Sequence, residues 1–224
     1  MNKENLEAFF ENCPNLYHMA QPGSWPLIAQ IGLLTTNQLL EKFEISDEKK
    51  SLLTSQRRPA SVPIKHEKFG EAVVRDQIPL LDTDLESCLL DGLTPLDWHK
   101  LLNERVFFWT SEERLYRLTG AGAYRNMEHD VLTLDSRSLF SKFNSRIELS
   151  PMNSGCTRPW KHKRGKDTFL PINMYDYDGW RKKRKKNDVI AEVTVIGGVS
   201  PILPYVKEVR RMKRNETLQV LYSR

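Results

Sequence analysis

The sequence predicts an α+β domain. Short segments with helical spacing are mixed with short β-branched or aromatic runs, and the two kinds do not alternate in the regular way that builds a parallel βαβ sheet. No unit of about 20 to 50 residues repeats, which removes a solenoid. No Pro-, Gly- or Ser-rich linker divides the chain, so residues 1–224 read as a single domain, with 151–188 as a basic, aromatic-rich loop or insertion inside it. With 39% hydrophobic residues the chain can bury a sizeable core.

Each element follows from local chemistry. Leu6, Phe9, Phe10 and Cys13 recur at helical spacing, and Pro14 ends that helix. Leu16 to Met19 reads as a short buried strand. After the turn signal Gln21-Pro22-Gly23, Ser24 is the expected N-cap of a helix over 25–31, with Pro26 in its first turn and Gly32 as its stop. Two short helices are expected over 36–42 and 46–53. Residues 57–71 are rich in Pro and charge and read as a loop or weakly paired strand leading into 72–76. Helices are expected over 83–90 and 95–103, the second capped by Thr94 with Pro95 at its first position. Val106 to Trp109 has the character of a central strand, and 111–118 returns to helix. Strands at 131–134 and 146–149 flank a helix at 136–143. Val189 to Ile196 alternates and is β-branched, Gly197-Gly198 breaks it, and 205–212 with 217–222 form a terminal hairpin around Arg214-Asn215.

The net charge of +5 is unevenly distributed. Residues 1–155 carry 17 Lys+Arg against 22 Asp+Glu, a net of −5, whereas 156–224 carry 17 against 7, a net of +10. A polyanion-facing surface from the C-terminal third is the first functional expectation. A mean hydropathy of −0.54 and the lack of a long apolar run argue against a membrane span. The start MNKENLEAFFENC has no signal-peptide pattern, and a soluble cytoplasmic protein is expected. Cys13, Cys88 and Cys156 are odd in number and widely spaced, so reduced thiols are expected and no cysteine metal site. The signatures of serine hydrolases, zinc proteases and zinc deaminases are absent. Gly165-Lys166 is followed by Asp167 and fails as a P-loop, and Gly120-Ala121-Gly122 follows a helix rather than a strand, so it fails as a dinucleotide fingerprint.

Three separated segments carry the functional reading. The first is Leu16-Tyr17-His18-Met19-Ala20, followed by Trp25-Pro26-Leu27-Ile28 and Gly32-Leu33-Leu34. The second is Arg105 to Ser111 with its aromatic run, and Tyr116 on the next helix. The third is Ile190-Ala191-Glu192-Val193-Thr194-Val195. A glutamate alternating with apolar residues in an interior strand costs on the order of several kcal/mol to bury unless it is paired or functional.

In order and spacing these segments resemble the ADP-ribosyltransferase family, including its DNA-modifying toxins. The chain also resembles a group of bacterial proteins of unassigned function that share a Tyr-His-Met…Gly-Ser-Trp start. The resemblance spans most of 15–206, with little that matches in 135–188. It implies an ADP-ribosyltransferase-like split core, a mixed or antiparallel β-sheet with flanking short helices. It further implies NAD as substrate, with no metal, and a set of site residues. His18 would bind the nicotinamide ribose, and the backbone at Ala20 would meet the carboxamide. Phe107 would stack on the nicotinamide ring, with Tyr116 as the second aromatic, and Glu192 would be the catalytic carboxylate. Two departures are visible: Met19-Ala20 stands where many relatives have Gly-Ser or Gly-Thr, and Phe107 stands where Tyr is commoner.

An Arg fork suits a pyrophosphate, and Arg58 and Arg75, with Arg57 next, are the candidates. Residues 158–186 hold Lys161, Lys163, Arg164 and the run Arg181, Lys182, Lys183, Arg184, Lys185 and Lys186, interleaved with Trp160 and Trp180. Cations beside rings that stack on bases suit a DNA or RNA acceptor. The expectation is an NAD-dependent transferase with a nucleic-acid acceptor and no membrane partner. Its alternatives are a non-catalytic nucleic-acid-binding domain on a degenerate transferase fold, and an NAD glycohydrolase.

Overall fold

Most helix starts in the chain are set by side-chain caps. Asn2 caps α1 (Lys3–Asn12) through Asn5 N–H, and Thr35 with Gln38 forms a capping box at α3 (Thr36–Lys42). Thr94 with Asp97 forms another at α6 (Pro95–Asn103), and Ser111 and Asp135 cap α7 (Glu112–Thr119) and α8 (Ser136–Phe143). The remaining helices are α2 (Trp25–Ile31), α4 (Asp47–Ser55), α5 (Asp82–Glu86) and α9 (Tyr177–Arg181). These assignments come from a computed structural model that describes residues 1–224.

The strands are β1 (Asn15–Ala20), β2 (Val62–His66), β3 (Gly70–Val74), β4 (Arg105–Trp109), β5 (Glu128–Asp135), β6 (Ile147–Ser150), β7 (Leu170–Pro171), β8 (Glu192–Ile196), β9 (Val206–Lys213) and β10 (Glu216–Ser223). Eight of them form one sheet in the order β10-β9-β5-β1-β4-β8-β6-β7, antiparallel at every pairing, while β2 and β3 form a separate hairpin. The α+β class is therefore as expected, with an antiparallel main sheet. No helix is long and apolar enough to cross a membrane.

Strand alternation divides the central sheet cleanly. Val106 and Phe108, Val193 and Val195, and Ile147 and Leu149 pair in register and turn one face into the largest core cluster, where Phe9, Phe10, Phe140 and Phe143 of α1 and α8 cover them. Phe107, Trp109, Glu192 and Thr194 occupy the opposite face. Smaller clusters beneath α5 and α6, beneath α7, and between α3, α4 and the β2–β3 hairpin build the walls around it.

Three local expectations change, and for residues 57–71 the strand alternative holds. The helix expected over 83–90 stops at Glu86 because Arg164 draws the chain away: Arg164 N–H donates to Cys88 O and Leu90 N–H donates to Arg164 O. The Pro-rich 57–71 segment contains β2, paired with β3 through five residues. Ser24 makes no side-chain cap to α2, since its hydroxyl donates back to Gln21 O at 2.6 Å. Residues 189–191 precede β8 rather than belonging to it, and side chains complete part of their backbone bonding: Tyr175 Oη donates to Val189 O and Thr110 Oγ1 to Ile190 O.

After β8, Gly197 and Gly198 take φ of +69° and +68°, and the chain returns against α2 through reciprocal bonds between Leu33 and Val199. A Cβ on Gly198 would lie 2.6 Å from Leu33 O and 2.7 Å from Gln38 Oε1, in a backbone conformation that strains L side chains. Gly198→Ala is expected to destabilise the protein by about 2 kcal/mol or more, read as a lower midpoint in chemical denaturation; an unchanged midpoint would show that this turn tolerates a side chain.

Candidate functional site

The site begins where the sheet parts. β1 pairs with β5 at six positions and β4 pairs with β8 at five, but β1 and β4 meet in register only at Tyr17 and Trp109. Toward Ala20 on one strand and Arg105 on the other, no further ladder forms between them. The alternation of β1 puts His18 on the same face as Leu16 and Ala20. Its imidazole spans the parting, with Nδ1 2.9 Å from Phe107 O and the ring 5.9 Å from that of Phe108. A carbonyl oxygen only accepts, so Nδ1 carries the proton and Nε2 keeps a lone pair. Burial holds His18 well below the usual imidazole range, at about 4, and the ring is neutral at physiological pH.

Glu192 begins β8 in the row Tyr17, Trp109, Glu192. Adjacent strands lie ~4.8 Å apart, so this row spans roughly 10 Å, and His18 stands one residue from it. The carboxylate is 3% exposed. Ser154 holds it: its N–H lies 3.2 and 3.1 Å from the two carboxyl oxygens, and its hydroxyl donates to Oε2 at 2.7 Å. Ser154 is held in turn, because its carbonyl accepts from Arg164 Nη1 at 3.0 Å and from Trp98 Nε1 at 3.3 Å. Arg164 also donates to Cys156 O and His162 O, and its guanidinium lies 5.7 Å from the Trp98 ring centroid. Burial pushes Glu192 up to about 7 against the pull of the Ser154 bonds and of the Arg114 and Arg164 charges. Arg114 reaches Asp188 at 2.5 Å, which ties α7 to the segment before β8.

His18, Ala20, Phe107 and Glu192 line one cleft of about 1600 Å³, with Arg58 and Arg75 on its wall. The two arginines differ. Arg58 is buried and its guanidinium is committed to Leu53 O, Arg75 O and Asn103 Oδ1. With Nε and Nη1 both bonded to the wall it lacks the free two-nitrogen fork that the expected pyrophosphate role calls for, which corrects that expectation. Arg57 is likewise engaged with Gln77 O and Ile78 O. Arg75 keeps the freer head, bonded to Gln21 Oε1 at 3.3 Å, 3.9 Å from Asp76 and 5.7 Å from the Tyr124 ring centroid. Tyr116 is not among the cleft residues: α7 directs Arg114, Arg117 and Leu118 there, while Tyr116 packs against the cluster of Tyr17, Leu115, Val131 and Met212. Trp109, Tyr124, Trp160 and Trp180 supply additional rings of the cleft.

The basic residues also divide. Arg164 is 1% exposed and is internal bracing, which corrects its expected place on a nucleic-acid surface. Lys161 pairs with Asp84 at 2.7 Å and Lys163 donates to Ser87 O at 3.0 Å, both with exposed side chains. Arg181, Lys182, Lys183, Lys185 and Lys186 are exposed, whereas Arg184 turns inward, donates to Pro151 O and stacks 4.3 Å from the Trp180 ring centroid. Ser154, the partner of Glu192, was not singled out in the sequence, where it falls within the 151–188 segment. Neither was Asp130, which is fully buried, accepts from Gly23 N–H at 2.8 Å and from Arg211 Nε at 2.6 Å, and so fixes the turn after β1. No group of three or more His, Cys, Asp or Glu side chains is placed to hold a metal ion.

These features define a class: an α+β protein whose antiparallel sheet parts beside a neutral histidine and a buried, doubly hydrogen-bonded glutamate. The chain belongs to DUF7002, a family of unknown function, whose model matches residues 14–206. The matched span runs from just before β1 to the first residue of β9 and contains His18, Phe107 and Glu192. No curated protein matches the chain.

Two outcomes are expected from the burial of Glu192. Its folded-state pKa lies above the unfolded one, so its favourable contribution is present below about 4.5 and is lost as pH rises through about 7. Glu192→Gln is therefore expected to melt above the parent at pH 8, by on the order of 2 kcal/mol in stability, with the gap closing near pH 5. A Ser154→Ala substitution removes a donor to the carboxylate and should move the Glu192 carbon-13 carboxyl titration upward from its parental value; an unmoved titration would show that the Ser154 hydroxyl does not set the acidity of Glu192.

Proposed function

We propose that the protein is an NAD-dependent ADP-ribosyltransferase that acts on a nucleic-acid acceptor. The observation that carries the reading is the cleft at the β1–β4 parting, whose lining includes a neutral His18 from the Phe108 face of the sheet and Phe107 and Glu192 from the other face.

In this reading Nε2 of His18 accepts a ribose hydroxyl hydrogen bond, which its tautomer permits, and the backbone at Ala20 meets the carboxamide. Phe107 offers a π-face to the nicotinamide ring. Glu192 accepts from the ribose 2′-hydroxyl. As the C1′–N bond breaks, its electron pair leaves with nicotinamide, which becomes neutral, and positive charge develops on the ribose. A carboxylate fixed beside that charge in a water-poor site is the stabilising element. The acceptor nucleophile then bonds to C1′ and gives up its proton. Arg75, with the freer guanidinium, takes the pyrophosphate in place of Arg58.

The test is incubation with NAD labelled in the adenylate half, together with single-stranded DNA, RNA and protein, tracking both label transfer and nicotinamide release. Transfer to nucleic acid is expected, with Glu192→Gln lowering release by about 100-fold or more. Release without transfer would mean that water is the acceptor. Neither transfer nor release, or a Glu192→Gln variant as active as the parent, would overturn the proposal. The rate should climb between about pH 6 and 8 as Glu192 ionises near 7, while His18, with its pKa near 4, stays neutral throughout. A flat or falling profile would exclude Glu192 as the charge-stabilising group.

A further inference from the structure

Among the aromatic rings on the cleft, Trp160 stands apart: it is 71% exposed, the most exposed large hydrophobic side chain of the protein. Such exposure on a slack loop would mean little, but this loop is braced on both sides. Before the ring, Arg158 Nε bonds Asp84 at 3.0 Å, and after it Lys161 bonds the same carboxylate at 2.7 Å. Beyond these, buried Arg164 ties His162 O, Cys156 O and Ser154 O together, so the loop that presents Trp160 also positions the partner of Glu192. The ring is held out over the rim of the cleft by its neighbours.

Trp180 differs in just this respect. Its ring packs against the core, with Arg184 4.3 Å and Lys183 5.5 Å from its centroid, so its π-surface is already used. Cations outnumber acids around Trp160: the side chains of Arg158 and Lys161 are 66% and 50% exposed and share the one Asp84 carboxylate, Lys163 is exposed, and the 181–186 segment, whose Arg184 lines the same cleft, adds five exposed cations against the exposed Asp91 and Asp167. A bare aromatic face flanked by cations fits a polyanion that offers flat, unstacked rings. Interior bases of a duplex have both faces covered by neighbours, so only an unpaired base can use this ring.

We infer that Trp160 is the stacking platform for an unpaired base of a single-stranded nucleic acid laid across the mouth of the cleft, with phosphates on Lys163 and the 181–186 run. The inference rests on the proposed function only for the chemistry after binding, because binding itself needs no NAD.

The experiment measures anisotropy of a fluorescein-labelled, mixed-sequence oligonucleotide of about 12 nucleotides, as single-stranded DNA, as RNA and as duplex DNA, without NAD. Single strands should bind more tightly than the duplex, and the DNA and RNA arms identify which single strand is preferred. Trp160→Ala should weaken single-strand binding by about 5- to 100-fold, and Trp160→Phe should retain most of it. Because the ring is exposed, both variants should keep the parental melting temperature. Replacing Lys182, Lys183, Lys185 and Lys186 by Gln should flatten the salt dependence, which Trp160→Ala leaves unchanged. Binding of Trp160→Ala equal to the parent, equal affinity for duplex and single strand, or no binding of either single strand would overturn the inference. A Glu192→Gln variant that binds the oligonucleotide as the parent does, while neither protein releases nicotinamide, would sustain this inference and sink the transferase reading.

Discussion

β1 and β4 meet at a single residue pair, and the architecture of the cleft depends on that parting. A sheet whose strands separate leaves backbone groups that need partners, and His18 supplies one by donating Nδ1–H to Phe107 O across the gap. The same bond fixes the tautomer and leaves Nε2 as an acceptor. On either side of the opening the sheet is fully laddered, β1 to β5 and β4 to β8, so the gap is bordered by rigid elements. Asp130 extends the order outward by fixing the turn after β1, and the Leu33–Val199 bonds close the far wall.

Glu192 shows the opposite economy. A carboxyl at 3% exposure is unfavourable as an anion, and the protein keeps it ionisable near neutrality through Ser154 and the charges of Arg114 and Arg164. Ser154 can do this because Arg164 and Trp98 hold its carbonyl from behind. The bracing therefore runs from buried arginine to serine loop to glutamate, and its energetic cost falls on the folded state above neutral pH. Stability surrendered at a buried polar group is a pattern that functional sites share.

Much of the fold was legible because its elements are locally encoded. Thr94, Pro95, Pro14 and the Gly197-Gly198 pair mark boundaries that the structure keeps within a few residues. His18 and Phe107 were singled out by the resemblance and Glu192 also as a carboxylate in an apolar strand, and all three lie on the lining of the cleft. Other features were hidden for physical reasons. Arg164 reads in sequence as one more surface cation, yet backbone carbonyls satisfy its guanidinium in the interior; those partners leave no compositional trace. The Ser154 to Trp98 bond joins residues 56 apart in the chain. Tyr116 was misplaced because periodicity gives the spacing of a helix but not its rotation: α7 turns Arg114 and Leu118 to the cleft and Tyr116 away from it. The helix expected at 83–90 failed where a distant loop competed for its last residues.

The proposal is at root spatial: one molecule of NAD sits at the β1–β4 parting with its nicotinamide riboside between His18 and Glu192. A crystal structure of the Glu192→Gln variant with NAD tests that placement without an intervening assumption about rate or acceptor. The nicotinamide ring is expected against Phe107, with a ribose hydroxyl on His18 Nε2, the 2′-hydroxyl within hydrogen-bond reach of residue 192, and the pyrophosphate on Arg75. NAD bound elsewhere, or a cleft that stays closed to it at saturating concentration, would contradict the placement and the transferase reading with it.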